Sequence, residues 1–540
     1  MINAQQSRVT TDIAFLLASW LVAYAVILGL NHLTLRTNAF DLSVFDYALW
    51  STGNGARLGW VPFMDQSLLS HHFMPTLWLL WPLHVIAPTP SLLIVVQLAS
   101  IAAAAALLGH ALARGLPRLH VIALLVAFLF SRRSHVAVSS VYYVESLEPL
   151  LLFGMMWAMH TRTSAVYWVC LLLALGCKED VAIYTGAFGA LLAFQAGTRR
   201  LGVATMALSA VWLVLAIGVF IPLARVWDGL PAANPFLYER YGTSPLQEGL
   251  ARLFRWESLR RVASMSLGLA LVCWWRPRWL LPAVPAVLLN LAAKDEALQS
   301  GLSGHYLWPI VPFMFLAAID GVRDLGRRWP RVANTWALIV ILAAVGDNPI
   351  FRPSFLASRF SELGESARIR ASLATIPRTA RVVAQPQLIP HIDQRLAIDD
   401  IDARWTPDGA ADVVALSNLG DQWPLTQSDF AASISQMFSR SDYRRVETLS
   451  SRLFVFVKVD GAPAFDPHYR IPRVMPDSVH GPRDDRATEL VVSAIVLSNE
   501  TRCVPTRPTA GAAFVWVIDA RDGENGAEDS CRDARPRVEP

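Results

Sequence analysis

Long apolar runs are the feature of this sequence that most restricts its fold. About eleven of them lie before residue 350, and 54% of the 540 residues are hydrophobic. Lipid offers no hydrogen-bond partner to a peptide group, so an apolar run crosses the ~30 Å hydrocarbon layer as a helix of about 20 residues. The sequence therefore predicts an α-helical polytopic membrane protein.

The positions of arginine indicate how these spans are oriented. Short loops rich in arginine stay in the cytoplasm, and five such loops share the side of the N-terminus if the ambiguous stretch 73–87 does not cross. We therefore predict a multi-pass protein of the bacterial cytoplasmic membrane, with its N-terminus inside and its C-terminus outside. The predicted spans are 12–31, 90–113, 119–132, 147–160, 164–177, 180–196, 201–223, 262–275, 279–293, 306–322 and 333–347.

Three regions follow from the change in pattern along the chain. Residues 1–350 form the transmembrane domain, with a large first outer loop at 32–89. Residues 351–460 are predicted to form a small extracytoplasmic α/β domain, because strand-like and amphipathic helical patterns replace the apolar runs. The tail 461–540 is rich in Pro, Arg and Asp and is expected to be partly disordered.

The elements of the last two regions can be predicted individually. The segment 355–376 has an amphipathic helical pattern, and the strand candidates are RVVAQ, ADVVALS, a hairpin-like pair in YRRVETLSSRLFVFVKV, and TELVVSAIVL in the tail. Cys503 and Cys531 also lie in the tail, and they could pair only in an oxidising compartment.

Charge and motifs exclude several classes of function. The formal net charge of +4 is small for this length and gives no support for a nucleic-acid partner. The sequence has no phosphate-binding P-loop, no nucleophile elbow and no dinucleotide fingerprint. The histidines and cysteines lack the spacing of a structural zinc site, so no metal ligands are predicted.

Lysine is rare, and its placement is informative. Two of the three lysines stand in charged triplets at predicted outer membrane boundaries: Lys178-Glu179-Asp180 and Lys294-Asp295-Glu296. Charged groups at membrane depth are costly unless they are paired or line a wet cavity. Each triplet is thus either an ion-paired helix turn or the floor of a polar cavity that holds an anionic group such as a phosphate.

The first outer loop holds the densest group of candidate residues. Asp41 could be a helix N-cap that accepts from the amide of Val44, or a catalytic carboxylate. Asp46 would fall inside the same helix among apolar neighbours, where a carboxylate can serve as a general base or bind a cation. His71 and His72 are adjacent, so at most one of them is expected to face the cavity of the aspartates.

Two further segments at the predicted outer face carry polar candidates. One is YYVESLEP, with Glu145 and Glu148, and the other is SGHYLWP, with His305 and Tyr306. We include all four among the predicted substrate-binding residues, together with His71, His72, Lys178, Glu179, Asp180 and Lys294.

Ordered motifs across residues 38–460 resemble a known family. They are FDLSVFDYALW followed by HHFMP, then Lys178-Glu179-Asp180, His305-Tyr306 before two prolines, RVVAQPQLIPHIDQR and ADVVALS. Together they resemble the bacterial membrane family called domain of unknown function 2079. That family is similar to the glycosyltransferase C superfamily of multi-span enzymes, which use a polyprenyl-phosphate-linked sugar at the outer face and keep an acidic residue in the first outer loop.

The resemblance implies a membrane glycosyltransferase with a polyprenyl-phosphate-linked donor and an unknown acceptor. Asp41, with Asp46 close behind, would stand where the superfamily keeps its catalytic carboxylate. An acidic loop facing a phosphate leaves room for a divalent cation. The alternatives are a lipid or solute transporter and a non-catalytic scaffold whose outer domain recruits partners.

Overall fold

The computed structural model of the protein describes residues 2–459, apart from 140, 234–240, 242–244, 295–298, 403–404, 406–408 and 421–423. The strand candidate TELVVSAIVL, Cys503 and Cys531 lie outside the described residues. The chain divides into two compact units. Unit 1 comprises Met1–His32 and Phe40–Ser361, and unit 2 comprises Leu33–Ala39 together with the chain from Glu362 onward.

Unit 1 is built from helices joined by short connections. The segment 32–89 also contains a two-residue antiparallel pair, β1 (Trp60–Val61) and β2 (Gln66–Ser67). The helices are α1 (Ile2–Leu33), α2 (Val44–Gly53), α3 (Trp81–Ile86), α4 (Pro90–Ala113), α5 (Arg118–Phe130), α6 (Arg132–Ser139), α7 (Glu148–Thr161), α8 (Ser164–Leu175), α9 (Val181–Ala193), α10 (Arg199–Leu215), α11 (Ile221–Trp227), α12 (Pro245–Leu253), α13 (Trp256–Leu267), α14 (Val284–Ala292), α15 (Val311–Arg328) and α16 (Pro330–Asp347).

Four helical stretches in the described part of the chain are long and apolar enough to cross a bilayer. They are Arg8–Leu33, Pro90–Ala113, Arg118–Ser139 and Arg199–Trp227, and shorter apolar helices are Pro75–Ile86, Ser164–Leu175 and Val181–Ala193. Within the ambiguous stretch 73–87, six residues of 3-10 helix are followed by six of α-helix. That length is about 20 Å, which is short of the ~30 Å hydrocarbon layer.

The predicted span 262–275 is wrong as a continuous helix. In the stretch 262–275, helix α13 ends at Leu267, and a 3-10 turn occupies Val272–Trp275. Ala270 and Leu271 between them have positive φ angles of 43° and 60°, which a right-handed helix cannot contain. The break falls in an entirely apolar sequence, so hydropathy alone gives no sign of it.

Glycines allow helices α9 and α10 to pack at very short range. A Cβ atom added to Gly202 would lie 2.4 Å from the backbone nitrogen of Ala193 and 2.5 Å from the carbonyl oxygen of Gly189. Small residues at a crossing let two helix backbones approach closely, which favours association in lipid. This packing fixes the position of α9, whose first turn follows the Lys178-Glu179-Asp180 triplet.

Unit 2 contains a five-stranded mixed sheet. Its strand order is β4-β3-β5-β7-β6, with β3 parallel to both β4 and β5, and with β7 antiparallel to β5 and β6. The strands are β3 (Val382–Ala384), β4 (Ile398–Asp400), β5 (Val413–Ser417), β6 (Tyr443–Val446) and β7 (Leu453–Lys458), and the helices that contribute are α17 (Pro353–Leu373) and α18 (Gln427–Ser439). The predicted helix at 355–376, both buried strands and the hairpin are thereby confirmed as elements.

A short early segment completes unit 2. The guanidinium of Arg36 donates to the carboxylate of Glu362 at 2.6 Å, and the amide of Ala39 donates to the carbonyl of Pro386 at 2.9 Å. The segment Leu33–Ala39 therefore belongs to the same compact body as strands that lie more than 300 residues later in the chain.

Asp400 on the edge strand β4 gives unit 2 a pH-dependent stability. Burial, and then the charges of Asp399 and Asp402, raise its pKa from 3.8 to about 7. The folded chain therefore holds a proton that the unfolded chain releases between these two pH values. As the pH rises from about 4 to about 7, the free energy of unfolding falls by an amount on the order of 2–4 kcal/mol.

We expect Asp400→Asn to remove this pH dependence, because asparagine has no proton to lose. Thermal unfolding midpoints of the purified chain in detergent, measured between pH 4 and pH 8, should show a variant whose advantage over the wild type grows with pH. Asp393→Asn is the control, since Asp393 is half-exposed in a surface pair with Arg378. Parallel pH profiles for the wild type and Asp400→Asn would contradict the assignment.

Candidate functional site

Three connections between helices of unit 1 enclose a polar cavity. It contains about 350 Å³ of empty space, including its open mouth. The connections are the one before α7, the one between α8 and α9, and the one before α15, and helix α14 closes a further side. The residues that line the cavity are Glu145, Glu148, Lys178, Asp180, Tyr184, Ala286, Leu289, Asn290, His305, Tyr306 and Pro309.

Prolines determine where two of these connections end and helices begin. Pro149 stands in the first turn of α7 and Pro312 in the first turn of α15. Proline is favoured there because its missing N–H would have no partner within the helix. Glu148 is thereby held at the start of α7, and His305 and Tyr306 precede α15 in a 3-10 turn.

Lys178 and Glu145 form a buried ion pair at the cavity. The Lys178 ammonium lies 2.8 Å from Glu145 Oε1, and the two residues are 7% and 4% exposed. Burial opposes ionisation of Glu145, but the charges of Lys178 and then His305 outweigh it and lower the pKa of Glu145 to about 2. Burial likewise lowers the pKa of Lys178, but Glu145 and Asp180 more than compensate and raise it. Both partners are therefore charged at neutral pH.

The cavity also presents carboxylate oxygens that lack hydrogen-bond donors. Tyr184 donates to Glu148 Oε2 at 2.7 Å, whereas Glu148 Oε1 and Glu145 Oε2 receive no hydrogen bond from the described residues. Both oxygens are buried. A buried acceptor without a donor costs on the order of 1–3 kcal/mol, so this arrangement suits a ligand that brings hydrogen-bond donors.

Asp41 adjoins the cavity through two stacked rings. The hydroxyl of Tyr143 donates to Asp41 Oδ1, and the Tyr143 ring stacks on His305 with a centroid separation of 3.6 Å. Burial, and then the nearby Asp41 carboxylate, raise the pKa of Tyr143 well above its usual range, so the phenol keeps its proton. Asp41 lies in a π-helical turn, and the N-cap of α2 is Ser43.

The histidine pair contacts the lysine triplet but does not line the cavity. His72 Nδ1 lies 2.8 Å from Glu179 Oε1, and the amide of Phe73 donates to Glu179 Oε2 at 3.1 Å. His71 packs edge-on against His72. The pairing with His72 outweighs the burial of Glu179 and lowers its pKa. Glu179 thus ties the first outer loop to the turn that carries Lys178.

Asp46 pairs with a histidine that sequence reasoning did not select. His84 Nε2 lies 2.9 Å from Asp46 Oδ1, and the side chains are 2% and 1% exposed. The prediction that Asp46 is buried inside a helix is confirmed, because it lies in the first turn of α2. The only available signal for His84 is that it is the one ionisable residue in the apolar stretch 73–87.

Lys294 is placed differently from the other predicted residues. It is exposed and does not line the cavity, and Asp295 and Glu296 lie outside the described residues. The alternative that Lys294 forms part of the floor of this cavity is therefore not supported, and Lys294 follows the end of α14 at Ala292. Within the described part of the chain, no group of three His, Cys, Asp or Glu side chains is arranged to hold a metal ion.

Apolar helices long enough to cross a bilayer define a membrane protein that sits in lipid. The chain belongs to the family described as predicted membrane protein (DUF2079), whose family model matches residues 31–451. This confirms the family resemblance carried by the sequence motifs. No curated protein and no solved structure matches the chain significantly.

Proposed function

We propose that the protein is a glycosyltransferase that takes a sugar from a polyprenyl-phosphate donor at the outer face of the cytoplasmic membrane. The observation that carries the proposal is the cavity itself, with its buried carboxylate oxygens and its aromatic rings. Sugar hydroxyls supply the donors that Glu145 Oε2 and Glu148 Oε1 lack. The ring of Tyr306, which also lines the cavity, offers a flat apolar surface to a pyranose.

Asp41 is the base in this proposal. It takes the proton of an acceptor hydroxyl, whose oxygen then attacks the anomeric carbon of the donor sugar. The bond between that carbon and the phosphate oxygen breaks, and the lipid phosphate leaves with the bonding electron pair. Tyr143 positions the carboxylate through the hydrogen bond to Oδ1. A general base of this kind contributes on the order of 10²–10⁴-fold to the rate.

Asp46 has a different part in the proposal. Its carboxylate is directed to His84 in a buried pair, which holds α2 against α3. Asp41 is half-buried whereas Asp46 is buried, and Asp41 is linked through the Tyr143 hydroxyl to the Tyr143–His305 stack, whose His305 lines the cavity. We therefore assign the base to Asp41 and a positioning role to Asp46.

Replacement of Asp41 by asparagine tests the proposal. Cells that lack the gene should accumulate a polyprenyl-phosphate sugar and lose a glycosylated product, and the wild-type gene should restore both. We expect Asp41→Asn to lower transfer at least about 100-fold, because the amide cannot accept the proton. Metabolic labelling of the lipid and glycan fractions measures the effect.

The control for this experiment is Asp347→Asn, which removes a half-exposed carboxylate from a surface pair with Arg132. This variant should restore transfer fully. Equal amounts of each protein in the membrane fraction must be established first. If Asp41→Asn restores the glycosylated product as well as the wild type does, the proposed base is wrong.

Transport is the second function that a specific observation favours. Buried ionisable residues within a helical membrane unit often mark a substrate or proton pathway, and here Glu145, Lys178 and Glu148 fit that description. Uptake of a labelled solute into proteoliposomes, without any covalent product, would favour a transporter over a transferase.

A further inference from the structure

The ionisable groups that line the cavity are mostly acidic. Three carboxyl groups, from Glu145, Glu148 and Asp180, face it together with the ammonium group of Lys178 and the imidazole of His305. The ammonium is already engaged by Glu145 at 2.8 Å. Unlike Glu145, Glu148 and Asp180 form no ion pair with a cation among the described residues that line the cavity.

The hydrogen-bonding groups of the cavity also favour a ligand that donates hydrogen bonds. Glu145 and Glu148 each present a buried oxygen that accepts nothing from the described residues. Phosphate and carboxylate ligands bring mainly acceptors and would leave these oxygens without donors. An ammonium group brings three donors and a positive charge, and hydrogen bonds between charged groups are about twice as strong as those between neutral groups.

We propose that the sugar held in this cavity carries a protonated amino group, which Glu148 and Asp180 bind. This inference rests on the proposed function and narrows its substrate class to amino sugars. The donor phosphate then lies outside this cavity, because it brings no hydrogen-bond donors to the buried carboxyl oxygens. Tyr184, which donates to Glu148 Oε2, leaves Glu148 Oε1 for the amine.

Ligand binding to the full-length protein in lipid nanodiscs tests the inference. The probes are methyl 2-amino-2-deoxyglucoside and methyl 6-amino-6-deoxyglucoside, compared with methyl glucoside and with the uncharged N-acetyl derivative of each amine. Saturation-transfer NMR reports their dissociation constants. We expect at least one amine to bind about tenfold or more tightly than both neutral comparators.

Variants of the cavity residues then test which carboxyl groups bind the amine. Glu148→Gln and Asp180→Asn should each reduce the amine preference several-fold, measured as the ratio of the dissociation constants of methyl glucoside and the amine. Glu257→Gln is the matched control, since Glu257 is an exposed residue of α13 that pairs with Arg260. Size-exclusion chromatography verifies that each variant is folded, and two cavity variants are used so that misfolding of one leaves the other informative.

Several outcomes would overturn the inference. Equal dissociation constants for the amines and their neutral comparators would show that the cavity has no preference for a charged amine. An amine preference that persists in both Glu148→Gln and Asp180→Asn would show that the amine binds at another site. Tighter binding of glucose 6-phosphate than of either amine would show that the cavity selects anions. Loss of transfer in Asp41→Asn is a separate result, so failure of the amine preference leaves glycosyl transfer to be judged on its own experiment.

Discussion

Replacement of Lys178 by methionine is expected to destabilise the protein by about 3–5 kcal/mol, because it leaves the Glu145 carboxylate buried without its counter-ion. The pair is buried on both sides, with a 2.8 Å contact. Without the ammonium, burial dominates and the pKa of Glu145 rises from about 2. Thermal unfolding in detergent, followed by tryptophan fluorescence, measures the loss.

The double variant Lys178→Met with Glu145→Gln separates charge from packing. Removal of both charges should recover much of the lost stability, since replacing a buried pair by neutral groups is often close to neutral in energy. Lys294→Met is the matched control, because it makes the same substitution at an exposed lysine. If Lys178→Met and Lys294→Met unfold at the same temperature, the buried pair has no role in stability.

Substitution of Gly202 by alanine is expected to have the second large effect. The added methyl group would overlap backbone atoms of α9 at 2.4–2.5 Å, and a backbone cannot move aside as a side chain can. The two helices must separate, at a cost of about 3 kcal/mol or more. We expect a lower yield of monodisperse protein and a lower unfolding midpoint.

Gly218→Ala adds the same methyl group where no atom lies within 4 Å. It should leave the unfolding midpoint unchanged or raise it slightly, since alanine is a better helix former than glycine. Equal midpoints for Gly202→Ala and Gly218→Ala would mean that the α9–α10 crossing is looser than the structure has it.

Sequence reasoning identified groups in the cavity but not their partners. Lys178, Glu145, Glu148, His305 and Tyr306 were all selected, because charged and polar residues at helix ends stand out against apolar runs. The pairing of Lys178 with Glu145, and the hydrogen bond from Tyr184 to Glu148, depend on which connections meet in space. Spacing along the chain carries no such information.

Residues with an ordinary local context were harder to assign. Tyr143 and Tyr184 were not selected, because a tyrosine near a membrane boundary is common and is usually an interfacial anchor. Lys294 was selected because its triplet mirrors that of Lys178, yet it is exposed. The local sequences around Lys178 and Lys294 predict the same role for both lysines, and only tertiary packing shows that one is buried and the other exposed.

The same limit applies to the fold. Short strands such as Val382–Ala384 and Val413–Ser417 were predicted correctly because compact β-branched runs are distinctive. The break after Leu267 was missed, since the apolar residues around it would suit an unbroken helix equally well. Hydropathy reports how a segment partitions into lipid, and it is insensitive to backbone conformation.

Unit 2 combines two segments that are far apart in the chain, and this separation affects the order in which the protein is assembled. Leu33–Ala39 leaves the ribosome early, whereas Glu362 and Pro386, which bind it, are synthesised more than 300 residues later. The early segment must therefore remain undocked while all the helices of unit 1 are inserted. Completion of this body has to follow synthesis of the sheet, and a chain truncated before the sheet would leave Leu33–Ala39 without these contacts.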